Sequence, residues 1–139
     1  MNLLFAIFWG LMTTMLPTTN LTVTITDIDK AGDGTIYLFL WDKDQDFPRS
    51  VENAVYQGVV RDFSDSGTFK FTDIPNGKYA VSAFQDLNNN KKLDANFIGI
   101  PKEPVGAYNQ NSMGKPKFNK SLIDLNGAPQ AITLEMIND

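Results

Sequence analysis

The chain contains no cysteine and no histidine. The first absence excludes disulfides, thiolate nucleophiles and cysteine-held zinc or iron. The second excludes imidazole acid–base chemistry and leaves the serines with no imidazole to activate them. Positive charge is also scarce: 12 Lys plus Arg against 16 Asp plus Glu give a net charge of −4. That is the wrong sign for a surface that neutralises nucleic-acid phosphates. There is no Gly-x-Ser-x-Gly elbow and no phosphate-binding glycine loop. No apolar repeat of helical period occurs beyond the first sixteen positions, and no internal repeat or low-complexity tract is present. What the chain does have is 42% hydrophobic residues over 139 positions, enough for one packed domain and too many for a disordered tail.

Its one continuous apolar run stands at the start, Leu3-Leu4-Phe5-Ala6-Ile7-Phe8-Trp9 and then Leu11, Met12, Met15 and Leu16. A membrane span takes about 20 apolar residues. This shorter run has the length of a secretory signal's apolar region, and Pro17, Thr18, Thr19 and Asn20 break it. The reading is a signal peptide over 1–19 and one domain over 20–139, secreted or periplasmic, with no stable membrane span after cleavage. No Lys or Arg follows Met1 and no Ala-x-Ala site is present. A buried first element of the mature protein and an uncleaved anchor therefore stand as alternatives. The lack of cysteine excludes a lipoprotein anchor.

Past Asn20 the pattern alternates. Val23 and Ile25 interleave with Thr22, Thr24 and Thr26, the period-two pattern of a half-buried strand. Asp27 to Gly34 reads as a turn. Thr35 to Trp41 is apolar on both faces and reads as a central strand covered on both sides. Asp42 to Pro48 is a charged loop, and Ala54 to Val60 is a weaker strand. Phe69 and Phe71 alternate with polar residues and lead into the tight turn Ile74-Pro75-Asn76-Gly77. A strand over Lys78 to Gln85 puts Tyr79, Val81 and Ala83 on one face, and Ile132, Leu134 and Met136 form a closing strand. Many short strands separated by Gly, Asn and Pro predict an all-β sandwich. One long irregular connection, Asp86 to Lys117, interrupts the rhythm. Loops of that length in compact domains are usually functional or disordered.

That connection opens with Asp86-Leu87-Asn88-Asn89-Asn90-Lys91-Lys92-Leu93-Asp94. Oxygen-bearing side chains at relative positions 1, 3, 5 and 9 match the front of a calcium loop, in which position 7 gives its backbone carbonyl. The candidate ligands are Asp86, Asn88, Asn90, the carbonyl of Lys92, and Asp94. Ca²⁺ takes six to eight oxygens, so water or an outside carboxylate must complete the shell. Glu103 is the first choice; Asp42, Asp44 or Asp46 are others if their loop lies at the same end. Position 6 is Lys91 rather than Gly, so Asn89, Asn90 or Lys91 must make the bend. Position 12 is Phe97 rather than Glu. With Lys91 and Lys92 opposing the ion, binding on the order of 10⁻⁴ M is expected, as in extracellular modules. The alternative is a polar turn with no metal, since Asn and Asp bond their own backbone. The alternating acids Asp42, Asp44 and Asp46 read as a solvated hairpin end.

Several stretches resemble the bacterial family called domain of unknown function 2141: Ile74-Pro75-Asn76-Gly77-Lys78-Tyr79-Ala80-Val81, Phe84 to Asp94, Phe97-Ile98-Gly99-Ile100-Pro101-Lys102-Glu103 with Gly106, and Pro116-Lys117-Phe118. The likeness covers roughly residues 20 to 138. Gln85 stands where the family often has His, and Tyr108 precedes Asn109 where Ser is usual, so any role of that His is lost here. The Pro-Asn-Gly-Lys-Tyr turn is also similar to transthyretin-like and carboxypeptidase-regulatory sandwiches. The resemblance implies a single Greek-key sandwich of seven or eight strands and a secretory leader; it implies no reaction.

Three functions follow from these residues. The first is a non-enzymatic exported module with a calcium-stabilised loop. The second is a glycan- or peptide-binding module, facing a glycan or a cell-surface protein, with Phe97, Tyr108 and Trp41 as platforms beside Asn109 and Asn111. The third is a hydrolase using Asp86 with Asp94, or Asp94 with Glu103, as paired carboxylates. The sequons at Asn20 and Asn119 read as chance matches. The bare edge strands offer a pairing surface that the sequence leaves unassigned.

Overall fold

The computed structural model describes residues 15–29 and 34–137. The apolar run Leu3–Met12 and the middle of the Asp27–Gly34 turn lie outside them. Among the described residues no helix is long and apolar enough to cross a membrane.

Among the described residues eight strands form two packed sheets: β1 (Thr18–Thr26), β2 (Thr35–Trp41), β3 (Tyr56–Val60), β4 (Gly67–Pro75), β5 (Gly77–Asp86), β6 (Val105–Ala107), β7 (Leu122–Leu125) and β8 (Gln130–Glu135). The first sheet runs β4-β1-β8 and the second β3-β2-β5-β6. β7 also pairs β5, so β6 takes Ser82–Phe84 and β7 takes Gly77–Ala80. All pairings are antiparallel except β1 with β8. The all-β sandwich expected from the alternating pattern is therefore the observed architecture. Two short strands escape the sequence reading: β6 lies inside the long connection, and β7 follows it.

Period-two alternation decides where the core lies. Leu21, Val23 and Ile25 of β1 meet Ile36, Leu38 and Leu40 of β2, with Val81, Ile123, Leu125 and Leu134 joining them between the sheets. On the first sheet the other face carries the threonines of β1 and stays partly solvated.

The second sheet differs because its outer face is also apolar. All seven residues of β2 are buried. Tyr37, Phe39 and Trp41 form an outer cluster with Phe84, Ala80, Ala107 and Phe47. Phe84 stacks on Tyr37 and Phe39 at centroid distances of 5.3 and 5.9 Å. Phe47 meets Trp41 and Phe118 edge-on at 5.5 and 5.7 Å. Trp41 Nε1 donates to Ser82 Oγ at 2.9 Å, which satisfies the indole inside this cluster. An outer face this apolar needs a cover, and the loops after β2, β5 and β6 supply it through Val51, Ala54, Leu93 and Phe118. The long connection is thus the second sheet's lid, and the chemistry it carries sits at the end of β5.

Candidate functional site

β5 ends at Asp86, which pairs with Thr35 at the start of β2. Asp86 is fully buried. Its carboxylate accepts the N–H of Asn90 at 3.3 Å and of Lys91 at 2.8 Å, curling the next residues back over the strand end. Asn88 Oδ1 accepts from Asn90 N at 3.3 Å, and Asn90 Oδ1 from Lys92 N at 2.9 Å. These successive turns need left-handed backbone, taken by Asn89 (φ 56°) and Lys91 (φ 62°). Asn adopts that region readily, whereas Lys is strained there by about 1 kcal/mol. The bend falls at two of the three residues expected to make it.

The side chains then converge. Asn88 Nδ2 donates to Asp94 Oδ2 at 2.5 Å, and Asn90 Nδ2 donates to both Asp94 oxygens at 3.0 and 2.9 Å. Four of the candidate side chains, Asp86, Asn88, Asn90 and Asp94, thus belong to one hydrogen-bonded loop. Among the described residues no group of three or more His, Cys, Asp or Glu is placed to hold a metal. The loop's side-chain oxygens are mixed, from two amides, Asn88 and Asn90, and two carboxylates, Asp86 and Asp94.

Glu103 reaches the loop from beneath. It is buried, and its oxygens accept the N–H of Leu87 and the N–H of Asp94, each at 3.0 Å. Lys102 N donates to Asp94 O at 2.8 Å, closing the same turn. Asn88, Asp94, Lys102 and Glu103 line a small polar hollow beside the loop.

Asp42, Asp44 and Asp46 do not reach this site. Their loop follows Trp41, which pairs with Ala80 rather than Asp86. Ala80 and Asp86 are six residue steps apart on β5, roughly 20 Å at a strand's rise. Asp42 instead acts on Tyr79, near the start of β5. That phenol is pushed above its usual range by burial, then by Tyr56 and by Asp42. Asp46 accepts from Asn53 Nδ2 at 2.9 Å, as a hairpin end does. Antiparallel pairing, which fixes which loops share an end, is what the sequence alone lacks.

The aromatic residues scatter. Trp41 is 1% exposed and works in the outer cluster, so it offers no platform to a sugar. Tyr108 packs against the core between the sheets, and its N–H donates to Val81 O. Asn109 is left-handed and donates to Lys120 O at 3.3 Å. Phe97 is fully exposed on a different turn. Asn96 builds that turn: its Oδ1 accepts from Ile98 N and Ile100 N at 3.1 and 3.0 Å. Gly99, at φ 84°, completes it.

Gln85 alternates with Asp86 and so faces the space between the sheets. It is fully buried, and Nε2 donates to Asp29 O at 3.3 Å. Its Oε1 has no partner among the described residues. Gln85 therefore anchors the turn after β1 rather than joining the loop.

A family model described as "Uncharacterized protein conserved in bacteria (DUF2141)" matches residues 23–133. No curated protein and no solved structure matches the chain.

Proposed function

The chain belongs to the bacterial DUF2141 family of uncharacterized proteins, and from that premise we propose that it is an exported, non-enzymatic β-sandwich module whose Asp86–Asp94 loop takes up one structural Ca²⁺. The observation that carries the reading is a buried carboxylate at the loop's first position, followed by left-handed residues at its fourth and sixth. A strained lysine persists only where the surroundings over-determine it. Here the Asp86 carboxylate does so by taking the Lys91 N–H.

The donor set suits a hard cation: Asp86, Asn88, Asn90, Asp94 and the Lys92 carbonyl are all oxygen ligands. The Asn88 and Asn90 amides that now donate to Asp94 would turn their oxygens toward the ion. Glu103 would fix the loop's floor, since its oxygens already hold Leu87 and Asp94. A hydrolytic pair is less well served, because Asp86 and Glu103 are each committed to two backbone amides.

Melting in EDTA and in millimolar CaCl₂ tests this. At a free concentration about 100 times Kd, linkage stabilises the fold by about 2.7 kcal/mol, a rise in Tm of roughly 10 °C for a domain of this size. Asp94→Asn abolishes the rise and Asn90→Asp enlarges it. Equal midpoints with and without calcium overturn the proposal.

A further inference from the structure

A cleft of about 760 Å³ lies on the outer face of the second sheet, beyond the polar loop. Its floor includes the strand residues Phe39, Phe84 and Ala107, each no more than 3% exposed. Leu93 and Ile100 from the long connection form one wall, and Met113 stands at the rim. Ile100 and Met113 are 42% and 58% exposed, so apolar surface continues to the mouth. Volumes of roughly 300–1,000 Å³ with apolar walls and a few polar groups are typical of small-molecule sites.

Three cations line the same cleft, from three separate segments: Arg49, Lys102 and Lys115. All are exposed, and among the described residues none of them has an ion pair. Two carboxylates share the lining, Asp29 and Glu103. Glu103 is held by two backbone amides, and Asp29 is itself engaged. On a chain of net charge −4, three cations without an ion pair among the described residues, set around an apolar hollow, are an electrostatic feature that complements an anion.

We propose that this cleft binds a small amphiphile with one anionic head, its apolar body along Leu93, Ile100 and Met113 above the buried Phe39, Phe84 and Ala107, and its carboxylate among Arg49, Lys102 and Lys115. The occupant is a free molecule rather than a bilayer, because the floor is recessed and a planar membrane cannot reach it. The inference goes beyond the calcium reading, although Lys102 and Glu103 line both the cleft and the polar hollow beside the loop.

Calorimetric titration of the full domain with decanoate, decanol and decyltrimethylammonium tests it, in calcium and again in EDTA. One decanoate per chain is expected, with decanol at least about tenfold weaker for want of charge-assisted hydrogen bonds, and the cation not binding. The double variant Arg49→Glu with Lys115→Glu, both on exposed side chains away from the polar loop, lowers decanoate affinity by about tenfold or more while Tm holds. Binding in either buffer upholds the proposal, so a failure of the calcium reading is seen separately in the melts. The proposal is overturned by no decanoate binding in either buffer, by equal affinity for decanoate and decanol, or by indifference to the charge reversals. It is also overturned if only phosphatidylglycerol vesicles bind, and do so through Phe97, as loss on Phe97→Ser would reveal.

Discussion

Glu103 accepts the backbone N–H of Asp94 at 3.0 Å with one oxygen while its other oxygen holds the N–H of Leu87 at the same distance. One buried side chain thereby closes both ends of the Leu87–Asp94 segment. Hydrogen bonds to a charged group contribute about 1.5–3 kcal/mol, and a buried amide left unpaired costs its desolvation.

Glu103→Ala is accordingly expected to destabilise the domain by about 2 kcal/mol, roughly 8 °C in Tm. Glu103→Gln keeps one acceptor and turns an NH₂ toward a backbone N–H, so it recovers only part of the loss. Urea unfolding measures both, and hydrogen exchange should show faster exchange at Leu87 and Asp94. A neutral Glu103→Ala would remove Glu103 as the loop's anchor.

Tyr79 predicts the alkaline limb of stability. Its hydroxyl donates to Pro75 O at 2.7 Å, and burial, Tyr56 and Asp42 raise its pKa above 10. In the unfolded chain the phenol ionises near pH 10. The folded state therefore holds its proton longer, and the associated stability is full below pH 10 and lost as pH rises through the folded value. Tyr79→Phe should cost about 1 kcal/mol at pH 7 and flatten the decline between pH 10 and 12. Urea midpoints across that range measure it; an unchanged slope counts against this assignment.

Two glycines are required for different reasons. A Cβ on Gly106 would lie 2.5 Å from Leu134 Cδ2 and 2.8 Å from Glu135 O, so β6 packs against β8 only without a side chain. Gly106→Ala is expected to cost about 2 kcal/mol, as overpacking does. Gly99 has nothing within 4 Å but sits at φ 84°. Gly99→Ala should therefore cost about 1 kcal/mol through backbone alone, loosening the turn that carries Phe97 and sparing the core. Melting curves of the two variants separate these causes.

Much of this architecture is legible in the residues. β2 reads as a doubly covered central strand because Tyr37, Phe39 and Trp41 are as apolar as Ile36, Leu38 and Leu40, and all six are buried. The Asp86 loop is legible from its spacing of oxygens, and its bend from Asn89 and Lys91. β6 is not, because Val105-Gly106-Ala107 is too short to alternate and gains its place from β5. The Arg49–Lys102–Lys115 grouping is invisible for a related reason: its members are far apart in sequence and meet only when the connection folds over the outer aromatic cluster. Phe97 reads from the sequence as a platform by residue type alone, and the hydrogen bonds of Asn96 build the turn that leaves it exposed.

The start of β1 bears on processing. The sequence places the leader's end at Thr19, but the ladder already begins at Thr18, paired with Pro75, and Thr19 pairs with Ile74. Pro17 O accepts the N–H of Asn76 at 2.9 Å, tying the chain to the β4–β5 turn. A protein beginning at Asn20 would lose these contacts and bare Ile74, which is 2% exposed. If the chain is exported as proposed, the processed N-terminus is expected at or before Pro17, where the strand is kept whole. Mass spectrometry of protein recovered from a bacterial periplasm reads this directly. A version starting at Asn20 should be less stable than one starting at Leu16 by about 2 kcal/mol, from lost hydrogen bonds and apolar cover. Recovery of a mature chain beginning at Asn20, with undiminished stability, would show that the first two rungs of β1 are dispensable.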